Sequence, residues 1–233
     1  MAERIRKLGI VMALLGLVFS FAGVFAFTQV QAGYDSLGAF SRAQGVELSY
    51  NEDGHLVDRG ATEGAEAIMT LLEDDWGYPV KSSDLDPNDP LVNTATEYMY
   101  QMATIGYHVL NGTQTVVLAA DAEYKGVVFS AGTYDVEVDG RYWTGFDRSH
   151  PLDGLARDRA WSGTVHGLFG ELGVGVVTAS TLQLGLGVSA LIVGLGLTLS
   201  FLGVGLIWVG RYRRDDPFAM LVESEPVPEQ VLV

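Results

Sequence analysis

Three oxygen-bearing side chains, Asp84, Asp86 and Asn88, stand at alternate positions in the run Ser82-Ser83-Asp84-Leu85-Asp86-Pro87-Asn88-Asp89-Pro90. Oxygen ligands two residues apart can converge on a hard cation such as calcium when the backbone curls around it. The rest of such a loop does not follow. Counting from Asp84, the sixth position is Asp89 where glycine is needed, and the twelfth is Ala95 where a bidentate acid belongs. Asp, Asn and Pro are also the ordinary residues of turns. The run therefore reads first as turn and helix-capping chemistry, with a metal site as the alternative.

Other constellations are thinner. Met99, Met102 and His108 share one expected helix and are of copper-ligand type. His108 points away from the two methionines on the helical wheel, so a methionine-filled core explains them better. His55, His150 and His166 are scattered, with no HExxH pair to hold a catalytic zinc. No nucleophile elbow, Walker A loop or dinucleotide fingerprint is present. The absence of cysteine excludes thiolate metal sites, Fe–S clusters, cysteine nucleophiles and disulfides. Glu73-Asp74-Asp75, at a helix end, is expected to face water. Asn111-Gly112-Thr113 matches a glycosylation sequon, modified only in some organisms, and doubles as a helix stop. No catalytic residue and no cofactor are assigned.

The elements that would carry these residues divide sharply. Leu8 to Phe27 is 20 residues without a charge, which as a helix spans about 30 Å, the thickness of a hydrocarbon core. A second apolar run fills Leu182 to Val209 and is longer than a perpendicular crossing needs. Arg4, Arg6 and Lys7 precede the first run, and Arg211, Arg213 and Arg214 follow the second. By the positive-inside rule both termini are expected in the cytoplasm, making a two-pass protein of the cell membrane. The domains are then a short cytoplasmic N-terminus over 1–7, a first transmembrane helix over 8–30, an exported domain over 31–181, a second helix over 182–210, and a disordered cytoplasmic tail over 211–233. Val30-Gln31-Ala32 resembles a signal-peptidase site, so cleavage is an alternative to a retained anchor.

Small residues recur every seven positions in both runs: Gly9, Gly16 and Gly23 in the first, Ser189, Gly196, Gly203 and Gly210 in the second. That period keeps them on one face, lets backbones approach, and favours a shallow left-handed crossing. Whether the faces meet each other or another subunit is open at this level.

Between the runs lies an acidic domain. From Val30 to Ser180 there are 23 acidic against eight basic side chains, so this segment is as negative as the whole chain, net −15. Such a surface repels nucleic acid and suits cations or basic partners. Val46 to Tyr50 and His55 to Val57 alternate like a hairpin around Asn51-Glu52-Asp53-Gly54. Ala61 to Trp76 reads as a helix capped by Thr62, and Leu91 to Leu110 as a second capped by Asn93 and ended at Asn111-Gly112 in the left-handed conformation. Gln114 to Ala119, Gly126 to Ser130, Thr133 to Val138 and Arg141 to Gly145 read as strands, with Asp139-Gly140 turning the last pair. Phe146 to Ser162 reads as a loop, and Gly163 to Gly175 as an amphipathic approach to the second anchor. Tyr98, Tyr100 and Tyr107 cannot share one helix face, so some are expected at the surface, where aromatics mark partner sites.

The expected fold is thus two transmembrane helices flanking a small α+β domain of about two helices and an antiparallel β-meander. The expected function is that of a non-catalytic accessory or scaffolding subunit of a membrane complex. Its partners would be other membrane subunits, or itself as a homo-oligomer, docked through the glycine-rich faces within the lipid bilayer. A cation- or ligand-binding sensor and a contributing subunit of a membrane metalloenzyme are the alternatives.

Overall fold

A computed structural model describes residues 2–212; the expected tail beyond them lies outside the described residues. Two long apolar helices flank a small domain of antiparallel strands and shorter helices. Helix α1 runs without a break from Ala2 to Gln44, and α5 from Gly163 to Tyr212. Both are long and apolar enough to cross a membrane, and only 11% of the most apolar 18-residue window of each is buried. The described residues of Met1–Gly33 and Gln183–Val233 form one compact unit, and Tyr34–Leu182 the other.

In the helical unit α1 and α5 are antiparallel, and the positions where they touch carry little or no side chain. A Cβ placed on Gly9 would lie 2.6 Å from Gly203 O, one on Gly16 2.5 Å from Gly196 O, and one on Gly23 3.0 Å from Ser189 O. Such distances are shorter than a methyl tolerates, so the backbones meet only because these residues are glycine.

The globular unit is built around α3, Ala95–Leu110. Its start is a capping box. Thr94 Oγ1 accepts from Glu97 N at 3.2 Å, while Glu97 Oε2 accepts from Thr94 N at 2.8 Å and Asn93 N at 2.9 Å. The reciprocal box, not Asn93, sets the helix start, and the residues before it run extended: Val92 N donates to Val46 O and Leu48 N to Pro90 O. At the other end Asn111 has φ −103, so the expected left-handed stop is not used. Instead the Asn111 backbone N–H and side-chain amide both donate to Tyr107 O.

Helix α2, Thr62–Thr70, starts one residue after its cap Ala61 and widens into a π-turn over Leu71–Asp75, in place of one straight helix. The wide turn sends adjacent leucines to different cores. Leu72 joins Ile68, Tyr98, Ala103 and Leu172, whereas Leu71 joins Leu110, Val116, Val138 and Trp161.

The strands form two nested ladders, not a meander. Strand β1, Thr113–Leu118, pairs antiparallel with β4, Gly132–Glu137, and they enclose β2, Ala122–Tyr124, paired with β3, Val127–Phe129. Strand β2 was not anticipated. Its turn is Lys125-Gly126, both at positive φ, as a two-residue hairpin requires. Asp139 and Gly140 are also left-handed (φ 51 and 70), as their chemistry predicts, yet no strand follows. Arg141 instead closes the ladder's end, donating from Nε to Val138 O and pairing through Nη1 with Asp153 at 2.6 Å. The expected strand Arg141 to Gly145 is a single 3₁₀ turn over Trp143–Gly145.

Two further expectations are corrected. The supposed loop holds helix α4, Pro151–Ala160, with Pro151 in its first turn and His150 Nδ1 accepting from Leu152 N and Asp153 N. Proline there starts a helix as readily as it breaks one. The expected amphipathic approach over Gly163 to Gly175 is the start of α5, and Leu172 lies in the first core, as do Leu37 of α1 and Ala179 of α5.

Candidate functional site

Asp84, Asp86 and Asn88 are arranged as a turn. Asp86 Oδ1 accepts from both the backbone N–H and the side-chain amide of Asn88, each at 2.9 Å. These two bonds hold the Asp86 carboxyl below the usual carboxylate range. Asp84 turns to Lys81 Nζ at 3.6 Å and Ser83 Oγ at 3.5 Å. The three side chains thus serve local partners within the turn.

The histidines separate as well. His108 Nε2 lies 3.0 Å from Asp58 Oδ1. His150 caps α4 and packs edge-on against Tyr124 and Phe129. His166 packs against Trp143 and Trp161. The backbone of His55 belongs to the Asn51 turn. Among the described residues no three His, Cys, Asp or Glu side chains gather as a metal-holding group. Met99 and Met102 pack against the first core. Asn111 is exposed, but its amide is committed to the helix end.

The aromatic residues of α3 are mostly interior. Tyr98 and Tyr100 are 5% and 3% exposed, and Tyr107 packs against both cores. None of the three is exposed, against the expectation that some would be, because α3 is packed on several sides. Burial pushes the Tyr50 and Tyr100 phenols up, aided by Glu97 at Tyr50 and Asp58 at Tyr100, and neither hydroxyl has a hydrogen-bond partner. Glu97, only 2% exposed, is pushed up by burial against the opposing pull of its capping bonds.

The seven small residues singled out for helix packing come together in one place. Gly9, Gly16 and Gly23 of α1 face Gly203, Gly196 and Ser189 of α5, and a Cβ on Gly210 would lie 3.1 Å from Ala2 O. Ser189 is fully buried and turns its hydroxyl back to Leu186 O at 2.9 Å. The faces meet each other, so this seam is filled from within the chain.

Two features escaped the sequence reading. On α5, Gly187, Gly194 and Gly205 have open space where a side chain would stand. Gly194 is two residues from Gly196, a rotation of about 200°, so this second small-residue stripe lies opposite the seam. The spacing of seven and eleven between these glycines was visible, but the richer glycine pattern of the seam masked it. The second feature is a cleft of about 240 Å³ in the globular unit, lined by the end of α1, by α3 and by the early part of α5. Its walls come from segments far apart in sequence, and no local pattern marks them.

No protein-family model matches the chain, and no curated protein or solved structure does.

Proposed function

We propose that this is a two-pass membrane protein acting as a non-catalytic accessory or scaffolding subunit of a multi-subunit membrane complex. The reading places both termini in the cytoplasm, by the basic residues flanking the apolar runs, and the acidic unit outside. It is supported by the bare apolar belts: Phe21, Phe25 and Phe201 are 72%, 66% and 75% exposed. Surfaces of that kind are costly in water and at home in lipid, where a helix satisfies its own backbone.

The observation that carries the docking step is the open glycine stripe of α5. The seam glycines face each other within the chain, which leaves docking to another face. Gly187, Gly194 and Gly205 leave a backbone strip uncovered, and small residues are what lets another helix approach closely in lipid. The partner is a helix of another subunit, or the same stripe of a second copy.

The test is gentle detergent extraction at native abundance, sizing of the particle, and mass spectrometry of what co-migrates. Defined membrane subunits, or a discrete homo-oligomer, are expected. Gly194→Leu should release them while leaving the α1–α5 pairing intact. A monomer with no defined companion overturns the reading.

A further inference from the structure

We infer that the cleft of the globular unit binds an organic cation: a primary ammonium group on a compact apolar body. Its interior is apolar, contributed by Val92, Ile105 and Leu172, with Phe40, Val46 and Leu168 at its more open edge. At about 240 Å³ it exceeds the roughly 150 Å³ apolar cavity that accepts benzene, so a ring with a short chain fits. The two hydroxyls in its wall satisfy each other: Ser41 Oγ and Tyr98 OH are 2.9 Å apart and buried. They ask nothing of a ligand.

The other polar side chains of its wall are one carboxylate and two amides. Glu171 lines the cleft and has no ion pair or hydrogen bond to any described residue, and neither do the side chains of Gln44 and Gln101 beside it. No lysine or arginine lines the cleft to neutralise the carboxylate. A primary ammonium brings three donors, which a carboxylate and two amide oxygens can receive. An anion would meet Glu171 and the strongly negative unit around it. A neutral ligand would gain no charge attraction from the exposed carboxylate. Charge and shape therefore select the same class, and an aromatic ring at the edge, Phe40, adds attraction for a cation.

The probe is 2-phenylethylammonium, compared with 2-phenylethanol and 3-phenylpropionate, each titrated by ligand-observed NMR against the full chain in nanodiscs of zwitterionic lipid. The ammonium should saturate in the millimolar range or below, about fivefold or more tighter than the alcohol. The carboxylate should bind weakest. Glu171→Gln, a change at an exposed position, should erase the ammonium's advantage and leave the alcohol's affinity unchanged. Equal binding of all three probes, no saturable binding, or an advantage that survives in Glu171→Gln overturns the assignment. None of these outcomes depends on whether the chain has membrane partners.

Discussion

The seam of the helical unit and the turns of the globular unit use glycine for opposite reasons. In the helical unit the seam glycines have ordinary helical backbones, and what forbids a side chain is the other helix. A Cβ on Gly16 or Gly203 would sit within 2.6 Å of the opposing carbonyl oxygen. In the globular unit Gly60, Gly126 and Gly140 have nothing within 4 Å, and what favours glycine is a positive φ of 86, 81 and 70. The seam needs the absence of atoms, these turns need freedom of rotation. The first is a tertiary constraint that any added carbon violates. The second is local and tolerates compromise, as Arg59, Lys125 and Asp139 show by occupying the same left-handed region without being glycine.

The largest effect should follow from filling the seam. Gly203→Val would drive a branched side chain into the Gly9 carbonyl and the Ala13 backbone. Overpacking of that severity should cost about 3 kcal/mol or more, enough to open the pair. The cysteine-free chain permits clean spin labelling at Lys7→Cys and Arg211→Cys, both exposed and at the same end of the helices. Electron–electron resonance should give a short, narrow separation in the parent and a long, broad one in the variant. An unchanged distribution would mean that the seam does not hold the helices.

Removing atoms should be the damaging change in the globular unit. Leu72 is fully buried at the π-turn, in the core with Ile68 and Tyr98. Leu72→Ala should lower stability by about 2–5 kcal/mol. Thermal unfolding followed by near-ultraviolet dichroism of Trp76, Trp143 and Trp161 would show it as a lower midpoint. The same truncation made at Leu197, which is 49% exposed on α5, should leave that midpoint in place.

This contrast also explains which parts of the fold could be read from the chain. Seven-residue spacing of small residues is a one-dimensional signal, so the seam residues were identifiable one by one, although not their mutual pairing. The helix core of α3 and strands β1, β3 and β4 were legible from period and turn chemistry. The π-turn was not, because Leu71 and Leu72 differ only in which core receives them. Helix α4 was hidden by its own first residue, since Pro151 reads as a breaker until His150 is seen capping the turn. Strand β2 failed because its turn is Lys-Gly, with lysine where Asn or Asp would have announced a hairpin. The site was the least legible part: Gln44, Gln101 and Glu171 sit on three helices, and only folding makes them neighbours.

A smaller effect separates the units by pH. Glu97 is the one buried carboxylate among the described residues. Burial raises its pKa above the ordinary 4.5, so the folded state holds the proton more tightly than the unfolded chain does. Its contribution is most favourable below the ordinary value and is lost as pH rises through the elevated one. Glu97→Gln keeps an oxygen for Asn93 N and Thr94 N but does not titrate. The midpoint of the variant minus that of the parent should therefore grow from acid toward neutral pH. A difference that is flat, or that shrinks, would contradict a raised Glu97.

The smallest change should be the only favourable one. Arg59 and Gly60 form a two-residue turn closed by Asp58 N to Ala61 O and Ala61 N to Asp58 O, both 2.9 Å. Arg59 has φ 50 and is exposed. A long side chain in the left-handed region is strained by about 1 kcal/mol, and asparagine relieves part of that. Arg59→Asn should raise the unfolding midpoint of the globular unit by the equivalent of about 0.5 kcal/mol. Because it also removes one of the few positive charges of an acidic unit, Arg59→Gln is the control, losing the charge without gaining the conformation. If Asn stabilises and Gln does not, the turn is limited by backbone conformation alone. If both destabilise equally, charge outweighs conformation at this turn, and the contrast between a seam constrained by contact and turns constrained by rotation would need redrawing.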